Sequence, residues 1–356
     1  ILMSNVKIFR DTIHGYIEIE KDIVNSIIDT ALFQRLRRIE QTSMRCLYPA
    51  ARHDRFIHSI GTFHLAKKIS TNLSQKFKEL TSGKFIFDKE YFSKLQFNLE
   101  LAALLHDVGH SPFSHTLEDY FKLEKRDGEV KINKQLKEAL SKCVDNDVYV
   151  KFCENFANAH PSPHEIISAI ISITEFKDAI QKLCEARSID ADYDFIIRAI
   201  TGTMHDDIDK ALDNCFIRLL NSSAIDVDKL DYITRDSEIS GYDNVKVDTE
   251  RLITSITPWY FTNDKGNEQL VLVYDKTALS VIQNVVTCRN ALYTWIYSHH
   301  KVQYETFLIS NAIKEIAKQE NPGNPNLFIT QMFCLENIVN NCLCDDDIWC
   351  LFKKHK

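Results

Sequence analysis

The sequence predicts a mainly α-helical protein with a minor β element. Only 9 glycines and 7 prolines occur in 356 residues, so few positions interrupt long helices. Apolar residues recur at helical spacing over much of the chain, as they do between residues 21 and 40. One segment, "EQLVLVYD" at 268–275, has instead the apolar, β-branched character of a strand. These observations favour a helical core with one small β-hairpin.

The elements can be predicted in order along the chain. Residues 15–20, "GYIEIE", alternate like a short strand, and residues 21–40 follow as a first helix. Further helices are predicted near 58–80, 91–107, 164–175, 177–186, 192–202 and 208–220, followed by a part-buried segment at 225–237. The charged stretch 118–158 has irregular helical character and is interpreted as an insertion or a lid.

The C-terminal third begins with the β element. The strand at 268–275 is expected to pair with 257–264 across Lys265-Gly266-Asn267. Helical periodicity resumes over 276–319, and the proline-containing stretch 321–326 ends it. We expect one or two short helices in the last thirty residues.

The composition limits the kinds of partner and location that we consider. A net charge of −7 argues against a generic nucleic-acid surface, so an anionic ligand would need a local basic pocket. Ten scattered cysteines without a Cys-x2-Cys pair favour reduced thiols in a cytoplasm. No signal peptide is recognised, and no apolar run approaches the roughly 20 residues of a membrane span. We therefore expect a cytoplasmic protein that does not insert into membranes.

The stretch "LLHDVGHSPFSH" at 104–115 carries the clearest chemical signal. An apolar helix ends in His106 and Asp107, whose side chains project about 100° apart and can approach one ion from adjacent directions. Imidazole and carboxylate together suit first-row metals. A lone His-Asp pair is more often a surface helix end, but the apolar residues before it and the histidine-rich loop after it favour a site.

Two other segments supply further candidate ligands. "ARHDRFIHSIG" at 51–61 contains His53, Asp54 and His58. "IDVDKLDYITRD" at 225–236 places four aspartates among apolar residues, which indicates partial burial. Buried carboxylates need partners such as a metal ion or an arginine.

These residues carry a resemblance to a known family. His58, His106-Asp107 and Asp228 follow the H…HD…D pattern of the HD-domain metal-dependent phosphohydrolases. Six blocks resemble, in family order from about residue 7 to 301, the deoxynucleoside triphosphate triphosphohydrolases of the dGTPase and sterile-alpha-motif/HD-domain type. The blocks are "RDTIHGYIEIE", "IIDTALFQRLRRIEQ", "ARHDRFIHSIGT", "LLHDVGHSPFSH", "IDVDKLDYITRD" and "CRNALYTWIY". The resemblance implies an HD-domain helical bundle as the catalytic domain at 1–301 and a short C-terminal helical region at 302–356.

The resemblance also implies roles for individual residues. It implies metal binding, to manganese, iron, magnesium or zinc, by His58, His106, Asp107 and Asp228. It implies acid–base roles for His110, His115, His164 and Glu165. Among these, His115 is the implied acid that protonates the leaving 5′ oxygen. Taken without the resemblance, His164 is more simply interpreted as a surface histidine at a helix start.

The same resemblance implies a nucleotide pocket. It assigns triphosphate contacts to Arg55, Lys229 and Arg289. It assigns sugar contacts to Gln41, Tyr232, Asp236 and Tyr297, although Tyr297 is equally interpreted as core packing. The implied reaction is hydrolysis at the α-phosphorus, which yields a deoxynucleoside and inorganic triphosphate with little selection among bases.

Regulation by a GTP or dNTP activator is a further implication. Lys7, Asp29, Gln34 and Arg37 match a guanine-nucleotide activator site, and Arg251 and Lys276 match a neighbouring pocket. The helix face around Gln34 is equally interpreted as a solvated surface. Tyr274 and Arg10 depart from the pattern, where a basic residue and an asparagine are expected. No sterile-alpha-motif domain precedes the blocks and the C-terminal lobe is reduced, so a homo-oligomer could be a dimer or a tetramer.

Two other functions remain open at this stage. Another HD-type nucleotidase, a phosphodiesterase or a single-strand nuclease would use the same metal ligands. A catalytically silent nucleotide-binding regulator would bind dNTPs without turnover.

Overall fold

A computed structural model describes residues 5–80, 87–242, 246–262 and 268–355. The fold is mainly helical, as predicted, and the strands of the described residues form three two-stranded antiparallel sheets. None of the helices in these ranges is both long enough and apolar enough to span a membrane.

A β-hairpin opens the fold. Strand β2 (Gly15–Glu20) is the predicted one, and it pairs with β1 (Val6–Asp11), which the sequence did not indicate. Gly15 takes a φ of 77° at the turn, where a residue with a side chain would be strained. Ile17 and Ile19 of β2 are buried, so one face of the hairpin packs on the core.

The continuous helix expected over 21–40 is wrong. The chain forms α1 (Lys21–Ile23), a π-helical turn (Val24–Ile28), α2 (Ala31–Gln34) and a 3-10 turn (Arg35–Arg38). Thr30 starts α2 because its hydroxyl accepts a hydrogen bond from the Phe33 amide. The apolar residues keep a helical spacing because each of these short helical pieces buries its apolar face.

The central helices carry the residues of interest. Helices α3 (Arg55–Glu79) and α4 (Lys89–Leu105) pack against each other and begin close to where they were predicted. The helices that follow α4, up to residue 255, are α5 (Lys131–Leu140), α6 (Asn146–Phe156), α7 (Pro163–Thr174), α8 (Lys177–Glu185), α9 (Tyr193–Thr201), α10 (Ala211–Leu220), α11 (Val227–Ser240) and α12 (Thr249–Ser255). Helix α11 packs on α3, and α7 packs on α9.

The stretch 118–158 contains more order than expected. It comprises a 3-10 turn (Glu118–Lys122), the short hairpin β3 (Lys125–Arg126) with β4 (Glu129–Val130), and helices α5 and α6. Helix α5 packs on α7 through a buried apolar face that includes Leu136. The stretch therefore contributes to the core next to α7.

The predicted hairpin between residues 257 and 275 is present. Strands β5 (Ile256–Thr262) and β6 (Glu268–Tyr274) pair antiparallel, with Trp259 opposite Val271. The turn predicted at Lys265-Gly266-Asn267 lies outside the described residues.

The helical run expected over 276–319 is interrupted. A 3-10 turn (Lys276–Ala278) leads into α13 (Leu279–Leu292), a π-helical turn follows (Tyr293–Tyr297), and α14 (His300–Glu320) begins after a break. Three short helices then follow where one or two were expected: α15 (Pro325–Met332), α16 (Leu335–Asn341) and α17 (Asp345–Lys354).

Candidate active site

Three helices bring the four predicted metal ligands together. His58 lies in the first turns of α3, His106 and Asp107 follow the last residue of α4, and Asp228 lies in the first turn of α11. His58 Nε2 is 3.0 Å from Asp228 Oδ1 and 3.6 Å from Asp107 Oδ2. His106 Nε2 is 3.7 Å from the same Asp228 oxygen. These distances converge on one small, mostly buried volume.

The end of α4 is placed by its own apolar residues. Residues 101–105 are fully buried, so the helix is fixed in the core and delivers the next two residues to its inner end. Gly109 then passes directly against α7, and its amide donates a hydrogen bond to Ser168 Oγ at 2.8 Å. A Cβ at Gly109 would lie 2.3 Å from the Ser168 backbone nitrogen, so a glycine is needed here.

Each histidine in the metal set is oriented by a second contact. His58 Nδ1 is 2.7 Å from Asp231 Oδ2, and His106 Nδ1 is 2.8 Å from the Ala103 carbonyl oxygen. Because these oxygens only accept, each Nδ1 carries the hydrogen, and in the neutral, metal-binding form of the ring the Nε2 lone pair is left for a cation. Within the described residues, neither Nε2 has a hydrogen bond of good geometry. This arrangement is typical of metal-binding histidines and fits a divalent cation.

The electrostatics of the set also favour a cation. Burial alone would lower the pKa of His58, but the nearby carboxylates of Asp228 and Asp231 outweigh it and raise the pKa to about 10. Burial would raise the pKa of Asp107, yet the nearby charges of Arg55, His106 and His58 lower it. The carboxylates therefore stay ionised and stabilise positive charge between them.

A buried network behind His58 was not singled out from the sequence. Arg235 donates to Asp231 through Nε (2.8 Å) and Nη2 (2.9 Å), and to Asp11 through Nη1 (2.8 Å). His14 Nε2, from the first hairpin, is 2.7 Å from Asp231 Oδ1. A Cβ at Gly61 would lie 2.0 Å from that same oxygen, so α3 must have a glycine where it faces this network. The Asp231-x3-Arg235 spacing in α11 was the available sequence signal.

A second cluster combines three histidines with one glutamate. The rings of His110 and His164 stack with centroids 4.2 Å apart, and His115 lies 4.9 Å from His110. Glu118 accepts from His115 Nδ1 at 3.0 Å and from His164 Nδ1 at 2.8 Å. The structure thus brings the three predicted catalytic histidines together around Glu118, which the sequence reasoning missed. Its position three residues after His115 was the signal for it.

The histidines of this cluster have different charge preferences. Burial and the neighbouring charges of Arg55 and His164 lower the pKa of His110, which favours its neutral form. Burial would lower the pKa of His164 as well, but its hydrogen bond with Glu118 overrides that effect and raises the pKa. Both ring nitrogens of His110 are without a hydrogen-bond partner in the described ranges. His110 is therefore available for a ligand.

Glu165 does not join this cluster. Its Oε2 accepts from the Ser162 amide at 2.6 Å, which closes a capping box at the start of α7. Its Oε1 accepts from Asn221 Nδ2 at 2.7 Å. Both oxygens are thus engaged in fixing the helix that carries His164, and Glu118 is the carboxylate that contacts the histidines.

The three predicted phosphate contacts have different surroundings. Arg55 donates to Asp107 Oδ2 (2.6 Å), Ser114 Oγ (2.9 Å) and the Gln41 carbonyl (3.1 Å), so each nitrogen of its guanidinium makes one hydrogen bond. Lys229 Nζ is held by Asp226 at 2.6 Å and by the Ser222 carbonyl at 2.8 Å.

Arg289 is held less tightly than the other two cations. It lies over the Tyr293 ring, 5.1 Å from its centre, and beside the Tyr232 hydroxyl. Its Nε is buried and has no partner among the described residues. Arg289 therefore retains a donor for an anionic ligand.

The predicted sugar contacts surround Asp236. This carboxylate accepts from His53 Nε2 at 2.5 Å and from the Tyr297 hydroxyl. Gln41 Oε1 is buried and unpaired within the described chain. Gln41, His115 and Tyr297 line a cavity of about 240 Å³. A larger cavity of about 790 Å³, between α10 and β6, contains none of the candidate metal or acid–base residues.

The residues of the first predicted activator site lie at one surface. Lys7 Nζ is 3.2 Å from Asp29, and both side chains are about half exposed. Arg37 Nε donates to Gln34 Oε1 at 2.8 Å, while Gln34 Nε2 donates to the Ile28 carbonyl.

The second predicted activator pocket shows one direct contact. Arg251 donates to the Thr277 carbonyl at 2.6 Å, next to Lys276. Tyr274, where a basic residue was expected, is partly buried.

A helical core that gathers two histidines and two aspartates in this way defines a metal-dependent hydrolase of the HD class. The model of the family described as "HD domain" matches residues 55–236, just over half of the chain. The chain therefore belongs to the HD-domain phosphohydrolase family, as its motifs suggested.

Curated relatives extend the similarity over most of the chain. The uncharacterized protein MJ1154 of Methanocaldococcus jannaschii is 29% identical over 88% of this chain and 51% of its own length. The uncharacterized protein YwfO of Bacillus subtilis is 26% identical over 89% of this chain and 57% of its own. The deoxynucleoside triphosphate triphosphohydrolase SAMHD1 of Gallus gallus is 27% identical over 87% of this chain and 45% of its own. The chain thus spans about half the length of the relatives that it matches.

Proposed function

We propose that this chain hydrolyses deoxynucleoside triphosphates to deoxynucleosides and inorganic triphosphate with the help of a divalent metal ion. The observation that carries the proposal is the contact between the two clusters, since His110 Nε2 lies only 3.8 Å from Asp107 Oδ1. A phosphoryl group placed there would touch the metal set and the histidines at once. The similarity to SAMHD1 of Gallus gallus supports the choice of substrate.

The metal would be held by His58, His106, Asp107 and Asp228. When bound, such a cation polarises a phosphoryl oxygen and lowers the pKa of a coordinated water. Two imidazoles and two carboxylates suit manganese, iron, zinc or magnesium, and the donor set does not discriminate among them.

The chain's own residues would handle the proton and the leaving group. Water attacks the α-phosphorus, its oxygen forms the new P–O bond, and the bond from phosphorus to the 5′ oxygen breaks. The proton that the water loses balances the one given to the 5′ oxygen and restores the donor histidine through solvent. His115 would give a proton to that oxygen: Glu118 accepts from its Nδ1, so the proton to be transferred is a second one, carried on Nε2 towards the substrate. Neutral His110 would donate a hydrogen bond to a phosphoryl oxygen. The products are a deoxynucleoside and triphosphate.

The rest of the nucleotide would lie along α11 and α13. Among the described residues, Arg289 has an unpaired donor for the phosphates, and Lys229 retains one of its three N–H donors beside the bonds to Asp226 and the Ser222 carbonyl. Tyr232 would pack against the sugar. Asp236 would accept from the 3′-hydroxyl, since each of its oxygens accepts only one hydrogen bond at present within the described chain. Because these contacts concern the sugar and phosphates, we expect tolerance among bases.

The decisive experiment identifies the bond that is cleaved. Purified protein is incubated with each dNTP, in turn with Mn²⁺, Fe²⁺, Mg²⁺ and Zn²⁺, in ¹⁸O-labelled water. We expect triphosphate, carrying the label, and unlabelled deoxynucleoside. Deoxynucleoside monophosphate plus pyrophosphate, or no product in any condition, would reject the proposal. Faster cleavage of oligonucleotides would indicate a nuclease or phosphodiesterase, and tight binding without turnover would indicate a silent regulator.

The proposal includes activation by GTP or a dNTP in a homo-oligomer, either a dimer or a tetramer. Lys7, Asp29, Gln34 and Arg37 would contact one activator, and Arg251 and Lys276 would contact a second. The test measures the rate and the sedimentation coefficient with and without GTP, and substitution of Arg37 should abolish any stimulation. Each cysteine is a free thiol, which supports a reducing cytoplasm as the proposed location.

A further inference from the structure

One carboxylate from the C-terminal helices contacts the backbone on both sides of the candidate site. Asp345, the first residue of α17, is 6% exposed. Its Oδ1 accepts from the Phe113 amide at 2.7 Å, and its Oδ2 accepts from the Glu40 amide at 3.0 Å. Phe113 lies in the loop between His110 and His115, and Glu40 directly precedes Gln41. Asp345 therefore joins the histidine side of the site to the sugar side.

A buried arginine makes a second connection to the same loop. Arg35 Nη1 donates to the Leu343 carbonyl at 2.7 Å, two residues before Asp345. Arg35 Nη2 donates to the carbonyls of Val108 and His110, each at 2.9 Å. These carbonyls follow the C-terminal end of α4, where positive charge is favourable. Burial lowers the pKa of Arg35 to about 10, so the guanidinium remains charged at neutral pH.

The loop held in this way has an unfavourable backbone. Phe113 and Ser114 have φ values of 54° and 52°, in the left-handed region that residues with a side chain rarely adopt. Such a conformation persists only where surrounding contacts hold it. The Asp345 hydrogen bond supplies one contact, and the Trp349 ring, 5.4 Å from the Phe113 ring, supplies another.

We propose that Arg35, Leu343 and Asp345 form a clamp that fixes the loop carrying His110 and His115 in position for catalysis. Asp345 is a positioning residue, because it acts through backbone amides and touches neither the metal set nor the histidine rings. The catalytic part of this inference rests on the proposed function. The structural part, a C-terminal segment that orders the loop, stands without it.

The test uses Asp345→Asn in the metal-loaded chain of 356 residues. Asparagine keeps the shape but presents an amide nitrogen to one of the two backbone donors, so one hydrogen bond is lost. Hydrogen–deuterium exchange followed by mass spectrometry should show faster exchange, by about tenfold, in peptides covering 108–116 and 36–42. If dNTPs are hydrolysed, kcat should fall by about tenfold to a hundredfold, while KM and metal content stay within about twofold.

The matched control is Asp346→Asn, the exposed neighbour in the same helical turn. It makes the same chemical change and should alter neither readout. Unchanged exchange in Asp345→Asn would overturn the clamp whatever the activity. Altered exchange with wild-type kcat would overturn the positioning role.

A second variant covers the case in which Asp345→Asn does not fold. Arg35→Lys keeps the charge but cannot reach three carbonyls with the geometry of a guanidinium, so it should raise exchange in 108–116 and lower kcat. If the wild-type protein hydrolyses no dNTP, the proposed function fails and the exchange data alone decide the clamp.

Discussion

Substitution of Gly109 by alanine is the sharpest test of how the site is built. The added Cβ would lie 2.3 Å from the Ser168 nitrogen and 2.7 Å from the Ile167 carbonyl carbon. Both atoms belong to the backbone of α7, so no side-chain rotation can relieve the overlap. Ordinary contact begins near 3.4 Å, and the loop and α7 must therefore separate by about 1.1 Å.

The size of the effect follows from that displacement. Overpacking of a rigid core costs about 1–3 kcal/mol. The hydrogen bond from the Gly109 amide to Ser168 Oγ, worth about 1 kcal/mol, would be lost or weakened as well. We expect the free energy of unfolding to fall by about 2–4 kcal/mol. Because α7 carries His164 and the loop carries His110, a shift of this size should lower kcat by about a hundredfold.

The assay is urea unfolding together with steady-state hydrolysis of a dNTP. The m-value should be unchanged, so that the shift in midpoint reports stability. Gly323→Ala is the matched control, because a Cβ there meets only Asn321 Oδ1 at 3.9 Å, and it should stay within about 0.5 kcal/mol of wild type. A Gly109→Ala protein with wild-type stability and turnover would refute the close packing of this loop on α7.

Three further predictions concern the charged groups. His106→Ala should abolish stoichiometric metal binding in elemental analysis, and retention of the metal would disprove this ligand. Asp231→Asn, which removes the negative charge behind His58, should weaken metal affinity by about 10–100-fold in a chelator competition; unchanged affinity would exclude an orienting role. Glu118→Gln should lower the His164 pKa in an NMR titration, because the carboxylate raises it against the effect of burial. The Glu118 pKa is itself lowered, so the pair stabilises most between the ordinary values of 4.5 and 6.5. The stabilisation is lost as pH falls through the Glu118 value or rises through the His164 value. Within that pH window, Glu118→Gln should lower the free energy of unfolding by about 1–3 kcal/mol. An equal decrease at all pH values would contradict the ion pair between Glu118 and His164.

The sequence could predict the elements that carry strong local signals. The 268–275 strand and the helix ending at His106 both have patterns that extend over several turns or residues. The break at Thr30 was missed because the periodicity of buried residues continues through it, although a threonine cap was readable. Strand β1 was missed because its residues are mostly polar or exposed, so its pairing depends on β2.

Within the site, the contacts between residues that are far apart in the sequence could not be predicted. Glu118 and Glu165 are both plausible carboxylate partners for His164, and only the capping contacts of Glu165 separate them. Arg35 meets Leu343 across 308 positions of sequence. A single sequence offers no spacing rule for such a pair. His106 and Asp107, in contrast, are adjacent in the chain and can be recognised as a motif.

The buried charges behind the metal set are better explained by function than by folding. Asp11, Arg235 and Asp231 alternate in sign from the first hairpin to the metal ligand His58, and all four residues are almost completely buried. Apolar replacements of such networks are often neutral or stabilising, so stability alone does not call for this one. Each member instead fixes the next, and the last contact fixes the His58 ring with Nε2 facing Asp228. A cation held there would complete the alternation, because it would be the positive group that Asp107 and Asp228 face.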